Sequence, residues 1–345
     1  MVPTVVIQTK QGIGDVIWHL PFIRSIAANS PGGSVTFLTL PSTHARELLE
    51  AESCVAETLY FEHRGSEFSR GLHLIRLTAL LRRLQCETAW ILDRTTRVAF
   101  AALAAGIPKR IGIGLGRQRW FITNPGIDQR YFHDMPIEWL KALMQAMNVP
   151  CPTTEPGLRL KPELVAAVGE RFRTCPRPWI VLGLGGSHPL KDWQSSQWLE
   201  FVAMLRRRIE GTVFLIGGPG QVQRASNLIG QTAGALAKNA CGLTVVEAAA
   251  LLRHADLFVG PDSGPMNLAV AVGTRAFGLF GATRVLSYSQ FIHPVLPDDG
   301  RGPAPDGMQR LSPCRVLERI EPCLCTPSAG SCARSEARNH AGQRS

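Results

Sequence analysis

Short apolar runs of strand length alternate with amphipathic, helix-length segments along this chain, and the series starts twice. In the first half the pattern predicts strands over 5–9, 35–40 and 88–92, the last ending at Asp93. Between them lie helix signals over 15–28, with apolar positions at Val16, Ile17, Leu20, Ile23 and Ile26, and around 45–51 and 75–84. Alternation of this kind demands parallel strands joined by crossover helices. A helical stretch over 137–147 is followed by Pro150, Pro152 and Pro156, a break that sets a domain boundary. The second half restarts with strands over 179–184, 212–216, 257–259 and 275–280 and helices over 196–208, 221–229, 245–254 and from Pro265. The expected architecture is α/β, with two Rossmann-like domains facing across a cleft: residues 1–155, residues 156–321, and a polar tail over 322–345 read as disordered.

A chain of 345 residues is long enough for two cores. Its 45% hydrophobic and 19% charged residues fit a globular protein, and its net charge of +10 favours anionic partners without choosing among nucleic acid, lipid headgroups and phosphorylated sugars. The start, Met1-Val2-Pro3-Thr4, lacks the basic region of a signal peptide, and the longest apolar run, 98–107, is too short to span a bilayer. The expectation is a cytoplasmic protein, at most peripheral on the inner face of the plasma membrane. Nine scattered cysteines form no regular framework and read as reduced thiols.

Two turns carry the chemistry. The run Gly260-Pro261-Asp262-Ser263-Gly264-Pro265-Met266-Asn267 leads from a buried strand into a helix, where unpaired N–H groups and the helix dipole favour an anion. Near the other end, Gly12-Ile13-Gly14-Asp15 also opens a helix. Asp15 there reads either as a helix cap or as a carboxylate facing a ligand, ionised near neutral pH and suited to act as general base. A third loop, Gly183-Leu184-Gly185-Gly186-Ser187, precedes Lys191, which is either a surface lysine or a cation for a diphosphate leaving group. It lacks the Gly-Lys-Ser/Thr ending of a P-loop.

Gly112-Ile113-Gly114-Leu115-Gly116 has the glycines of a dinucleotide fingerprint but no helix signal after it, which argues against a nicotinamide cofactor. The following residues, 117–126, read as an extended ribbon with a turn, and Arg117 and Arg119 are candidates for an acidic acceptor. The chain contains no Asp-x-Asp, so no metal site is expected; Cys314, Cys323, Cys325 and Cys332 read as free thiols or, alternatively, a thiolate cluster of atypical spacing.

The pair Gly12-Ile13-Gly14-Asp15-Val16 and Gly260-Pro261-Asp262-Ser263-Gly264-Pro265-Met266, with Phe280-Gly281-Ala282-Thr283, resembles glycosyltransferase family 9, the ADP-heptose:lipopolysaccharide heptosyltransferases and their relatives. The resemblance runs from about residue 4 to residue 320. It implies a GT-B fold, an acceptor on the N-terminal domain and a nucleotide sugar on the C-terminal one. By the same resemblance Asp15 matches the catalytic base, with the adjoining Gly14 toward the acceptor. Ser187, Lys191, Leu243, Asp262, Ser263, Gly264, Met266 and Asn267 match donor-binding positions. Most members carry His where this chain has Asn267, and the family's ribose-binding acid has no clear counterpart here, the chain offering Gln221 and Gln223. The implied activity is inverting, metal- and cofactor-independent heptosyl transfer from ADP-heptose to an acidic lipopolysaccharide core acceptor at the inner membrane, with no nucleic acid involved. The alternatives are a protein (autotransporter) heptosyltransferase, or a nucleotide-sugar-binding protein with little transfer activity.

Overall fold

The computed structural model describes residues 3–62, 67–186, 188–232 and 237–324. The chain divides into two compact units, Met1–Lys161 and Pro162–Ser345.

The first unit contains, in order, β1 (Thr4–Ile7), α1 (Ile13–Ala28), β2 (Val35–Thr39), α2 (Ala45–Leu48), β3 (Val55–Tyr60), α3 (Glu67–Leu84), β4 (Thr88–Ile91), α4 (Thr96–Ala104), β5 (Lys109–Gly112) and α5 (Pro136–Ala146). Its parallel sheet has the strand order β3-β2-β1-β4-β5. β1 and β2 are buried along their whole length, because helices cover both faces of a parallel sheet, and this is why they read as continuous apolar runs. β3 lies at the edge and mixes exposed Ala56 and Glu57 with buried Thr58, so its sequence carries no such run. Residues 156–161 are held by this unit. Arg24 pairs with Glu52 at 2.6 Å and donates to the carbonyls of Pro156 and Gly157 at 2.7 Å, while Glu52 also accepts from the Arg159 amide at 3.0 Å.

The second unit contains α6 (Pro162–Arg171), β6 (Trp179–Gly183), α7 (Ser195–Arg206), β7 (Thr212–Ile216), α8 (Val222–Gln231), β8 (Ala237–Asn239), α9 (Val245–His254), β9 (Leu257–Pro261), α10 (Gly264–Ala271), β10 (Ala276–Leu279), β11 (Ile292–Val295) and α11 (Pro313–Leu324). Its strands are parallel in the order β11-β10-β9-β6-β7-β8. Trp193, Trp198 and Phe201 fill the space beside the sheet, fully buried, with the two indoles edge to face at 4.8 Å. α11 continues through Pro322 to Leu324, so the start of the segment expected to be a tail is helical: Val316, Leu317 and Ile320 bury one face of it. Residues 325–345 lie outside the described part of the chain.

Both sheets reverse strand order at one point, β1/β4 in the first unit and β6/β9 in the second. Loops at the carboxyl ends of such neighbours diverge to opposite faces and leave a crevice for a ligand. The loops after β1, β6 and β9 are the three that carry the sequence motifs.

Candidate functional site

In the second unit the strand order brings Lys191 to Asp262. Lys191 belongs to the loop after β6, Asp262 to the loop after β9, and the ammonium lies 2.9 Å from Asp262 Oδ2 and 3.1 Å from its carbonyl oxygen. A lysine has three N–H donors, so two contacts leave one for a further acceptor. The Lys191 loop is anchored from behind by Arg224 on α8, which pairs with Asp192 at 2.6 Å and donates to the Trp193 carbonyl. At its glycine-rich start Gly185 has φ +79°, and a Cβ there would stand 2.8 Å from Gln221 Nε2. Gln221 is thus packed under the loop with its Oε1 buried and unpartnered, whereas Gln223 points along α8 to Asn227. Of the two candidates for the missing acidic residue, only Gln221 borders the loop. Ser187 lies outside the described residues.

Ser263 is the N-cap of α10, yet its side chain makes no capping hydrogen bond. Its Oγ is buried without a partner, an arrangement that costs about 1–3 kcal/mol unless a bound group satisfies it. Asn267, one turn along, is buried and fully engaged. Its Nδ2 donates to the Ser263 carbonyl at 2.8 Å and the Tyr288 hydroxyl donates to its Oδ1. Asn267 therefore braces the start of α10. Tyr288 was not recognised from the sequence, because nothing local links it to a residue 21 positions earlier. Gly264 opens α10, and Met266 is fully buried with its sulfur beneath Gly278, so Met266 offers the site only its backbone. Leu243 is half-buried after β8, at the edge of the same sheet and away from the β6/β9 pair.

In the first unit Asp15 sits in the first turn of α1 beside Gly14, half-buried, and accepts from the Gly12 amide at 3.0 Å. The carboxylate thus reaches back to the N-cap amide and caps the helix start. Its loop is tied to the sheet by Asp93 at the end of β4. Asp93 Oδ2 accepts from the Thr9 amide at 2.8 Å and the Thr9 hydroxyl at 2.6 Å, and Oδ1 accepts from the Thr95 amide at 2.9 Å. His19, one turn after Asp15, is completely buried and bonds through Nδ1 to the Asp15 carbonyl oxygen. Because a carbonyl only accepts, Nδ1 carries the proton. Burial, outweighing that bond and the nearby Asp93 charge, pushes the imidazole down to about 4, so it is neutral at pH 7.

The segment expected to be an extended ribbon is instead a 3-10 turn, Gly116–Trp120, followed by residues that bond back to β5: the Thr123 amide to the Arg110 carbonyl and Asn124 to both polar groups of Gly112. The turn forms because the fully buried Gln118 folds inward, accepting from the Gly114 amide at 2.8 Å and donating to the Asp93 carbonyl at 2.7 Å. The glycines serve backbone packing. Gly114 has φ +77°, and a Cβ on it would come within 2.5 Å of the Gly126 Cα. Arg117 and Arg119 are both exposed on this turn. Among the described residues no group of three or more His, Cys, Asp or Glu side chains is arranged to hold a metal. Cys314 and Cys323 lie on α11, and Cys325 and Cys332 are outside the described residues.

A family model described as glycosyltransferase family 9 (heptosyltransferase) matches residues 74–294. No curated protein sequence matches. Among solved structures, the ADP-heptose lipopolysaccharide heptosyltransferase II of E. coli superposes with a TM-score of 0.74 at 21% identity, over 93% of this chain and 98% of that one. A glycosyl transferase family 9 protein of Veillonella parvula gives 0.73 at 16% identity over 93% and 97%. The E. coli heptosyltransferase WaaC, solved with ADP-2-deoxy-2-fluoro heptose, gives 0.72 at 14% identity over 92% and 99%. At these identities the likeness is one of fold, and the two Rossmann-like units are those of the GT-B class.

Proposed function

The chain belongs to glycosyltransferase family 9, the heptosyltransferases, and from that premise we propose an inverting transfer of heptose from ADP-heptose to a lipopolysaccharide core acceptor, without a metal. The observation that carries the proposal is the pairing of Lys191 with Asp262 beside the uncapped start of α10, where the Ser263 hydroxyl is buried and unpartnered. A cation, a helix N-terminus and a hydroxyl in one loop pair make a diphosphate site.

In this reading the second unit takes the nucleotide sugar. Lys191 uses its remaining N–H on a phosphate oxygen, Asp262 holds the ammonium in place, and Ser263 Oγ and the first amides of α10 bind the same diphosphate. Gln221 replaces an acidic residue toward the ribose, and Leu243 lines the base. Asp15 on the first unit takes the proton of the acceptor hydroxyl. The acceptor oxygen forms its bond to the anomeric carbon from the face opposite the nucleotide as the bond from that carbon to the diphosphate oxygen breaks; ADP leaves with the electron pair, stabilised by Lys191. Arg117 and Arg119 attract the acidic acceptor, which is met at the inner membrane surface. The similar E. coli enzymes are an ADP-heptose lipopolysaccharide heptosyltransferase and a heptosyltransferase solved with ADP-2-deoxy-2-fluoro heptose, and that supports the choice of donor and acceptor class.

A thermal-shift panel of nucleotide sugars tests the donor. ADP and ADP-heptose raise the melting temperature; a shift confined to UDP or GDP sugars refutes the heptose reading. Turnover of ADP-heptose that survives in Asp15→Asn removes Asp15 as the base.

A further inference from the structure

We propose that the outer face of α4, with the adjoining 3-10 turn, docks on a bilayer surface rich in anionic lipid. The helix divides cleanly. Val98, Ala99, Ala101 and Ala102 are buried against the sheet, and Arg97, Phe100 and Leu103 form a stripe at three-residue spacing on the opposite side. A helix facing water places polar residues in such a stripe; here Phe100 and Leu103 are 42% and 41% exposed. The apolar surface continues onto the turn, because Phe121 meets Phe100 edge to face at 5.5 Å and its neighbour Trp120 is 63% exposed.

Single exposed apolar residues are ordinary, but three large ones on touching elements, bordered by cations, form a patch. Residues 94–133 contain seven Arg or Lys against one acid, Asp128, and so supply +6 of the chain's net +10. Five of those seven, Arg97, Lys109, Arg117, Arg119 and Arg130, are exposed; Arg94 and Arg110 are turned onto ring faces and backbone carbonyls instead. Trp and Phe at headgroup depth, with arginines reaching phosphates around them, is the composition of an interfacial site. The patch is formed by a helix flank and the turn packed beside it. Among the described residues no helix is long and apolar enough to cross a membrane, so attachment of this kind is peripheral. The inference does not depend on which sugar nucleotide the second unit takes.

Co-sedimentation of the full chain with vesicles of phosphatidylethanolamine and phosphatidylglycerol, against vesicles of phosphatidylcholine, tests it. Binding favours the anionic vesicles and weakens with salt. Phe100→Ser with Leu103→Ser lowers the partition about tenfold or more, and Arg97→Glu, at an exposed position that folding does not need, lowers it roughly fivefold. Trp120 emission shifts to the blue on binding. Melting temperature and the shift given by ADP are recorded for each variant, so that loss of the fold or of the donor site is read separately from loss of membrane binding. Equal partition onto both lipids, partition unchanged in Arg97→Glu, or retention on immobilised nucleic acid without vesicle binding overturns the proposal.

Discussion

Acid should weaken the first unit through His19. The imidazole is completely buried, its proton is fixed on Nδ1 by the Asp15 carbonyl, and desolvation holds it near 4 against an ordinary 6.5; Asp93 pulls the value up and Lys10 down, both less than burial does. The folded value lies below the unfolded one, so the unfolded chain takes up a proton first as the pH drops. The stability that His19 contributes is therefore complete above pH 6.5 and is lost as the pH falls toward 4. The slope is about 1.4 kcal/mol per pH unit, which gives about 2 kcal/mol between pH 7 and pH 5 and about 3 kcal/mol in full. His19→Gln keeps an amide donor for the Asp15 carbonyl and does not titrate, so other groups cancel when the two proteins are compared. Urea unfolding read by hydrogen exchange of a peptide covering residues 13–28 isolates the first unit. The expected result is that the advantage of wild type over variant shrinks by about 2 kcal/mol from pH 7 to pH 5. An unchanged difference, or an NMR titration of His19 centred near 6.5, refutes the reasoning. Because α1 carries Asp15 in its first turn, transfer activity should fall over the same acidic range and return when the pH is restored.

Lys191→Gln should lower kcat about a hundredfold or more if the ammonium meets charge that develops on the leaving diphosphate; steady-state kinetics showing only a raised KM would make it a ground-state contact. Gly114→Ala, strained by φ +77° and by the 2.5 Å approach to Gly126, should cost more than about 2 kcal/mol, whereas Gly116→Ala, with φ +66° in open space, should cost about 1 kcal/mol; chemical denaturation ranks the two. Gln118→Leu strands the Gly114 amide and the Asp93 carbonyl and should destabilise by about 2–4 kcal/mol in the same assay. Tyr288→Phe leaves the buried Asn267 Oδ1 without its donor; it should cost about 1–3 kcal/mol in the same assay and weaken ADP binding several-fold by calorimetry through a loosened α10 start.

The amino-acid sequence by itself determined the doubled α/β series, because strands such as β1, β2, β6 and β7 are covered on both faces and must be apolar throughout. It also marked Asp15, Lys191 and the 260–267 turn, since a helix start after a buried strand is a local signal. What escaped it included strands whose burial is partial: β3 and β5 at the two edges of one sheet, β8 and β11 at the two edges of the other, the last carrying Pro294 where an edge strand tolerates a missing donor. Only the tertiary structure decided the partners. Strand order set Lys191 beside Asp262, 71 residues apart. The close approach of Gly114 to Gly126 gave the glycines of the rejected nucleotide fingerprint their packing role, and Tyr288 made Asn267 a brace within the 260–267 turn. Periodicity records how much of each residue is buried; which residue it is buried against depends on strand order and loop packing, which no window of local sequence contains.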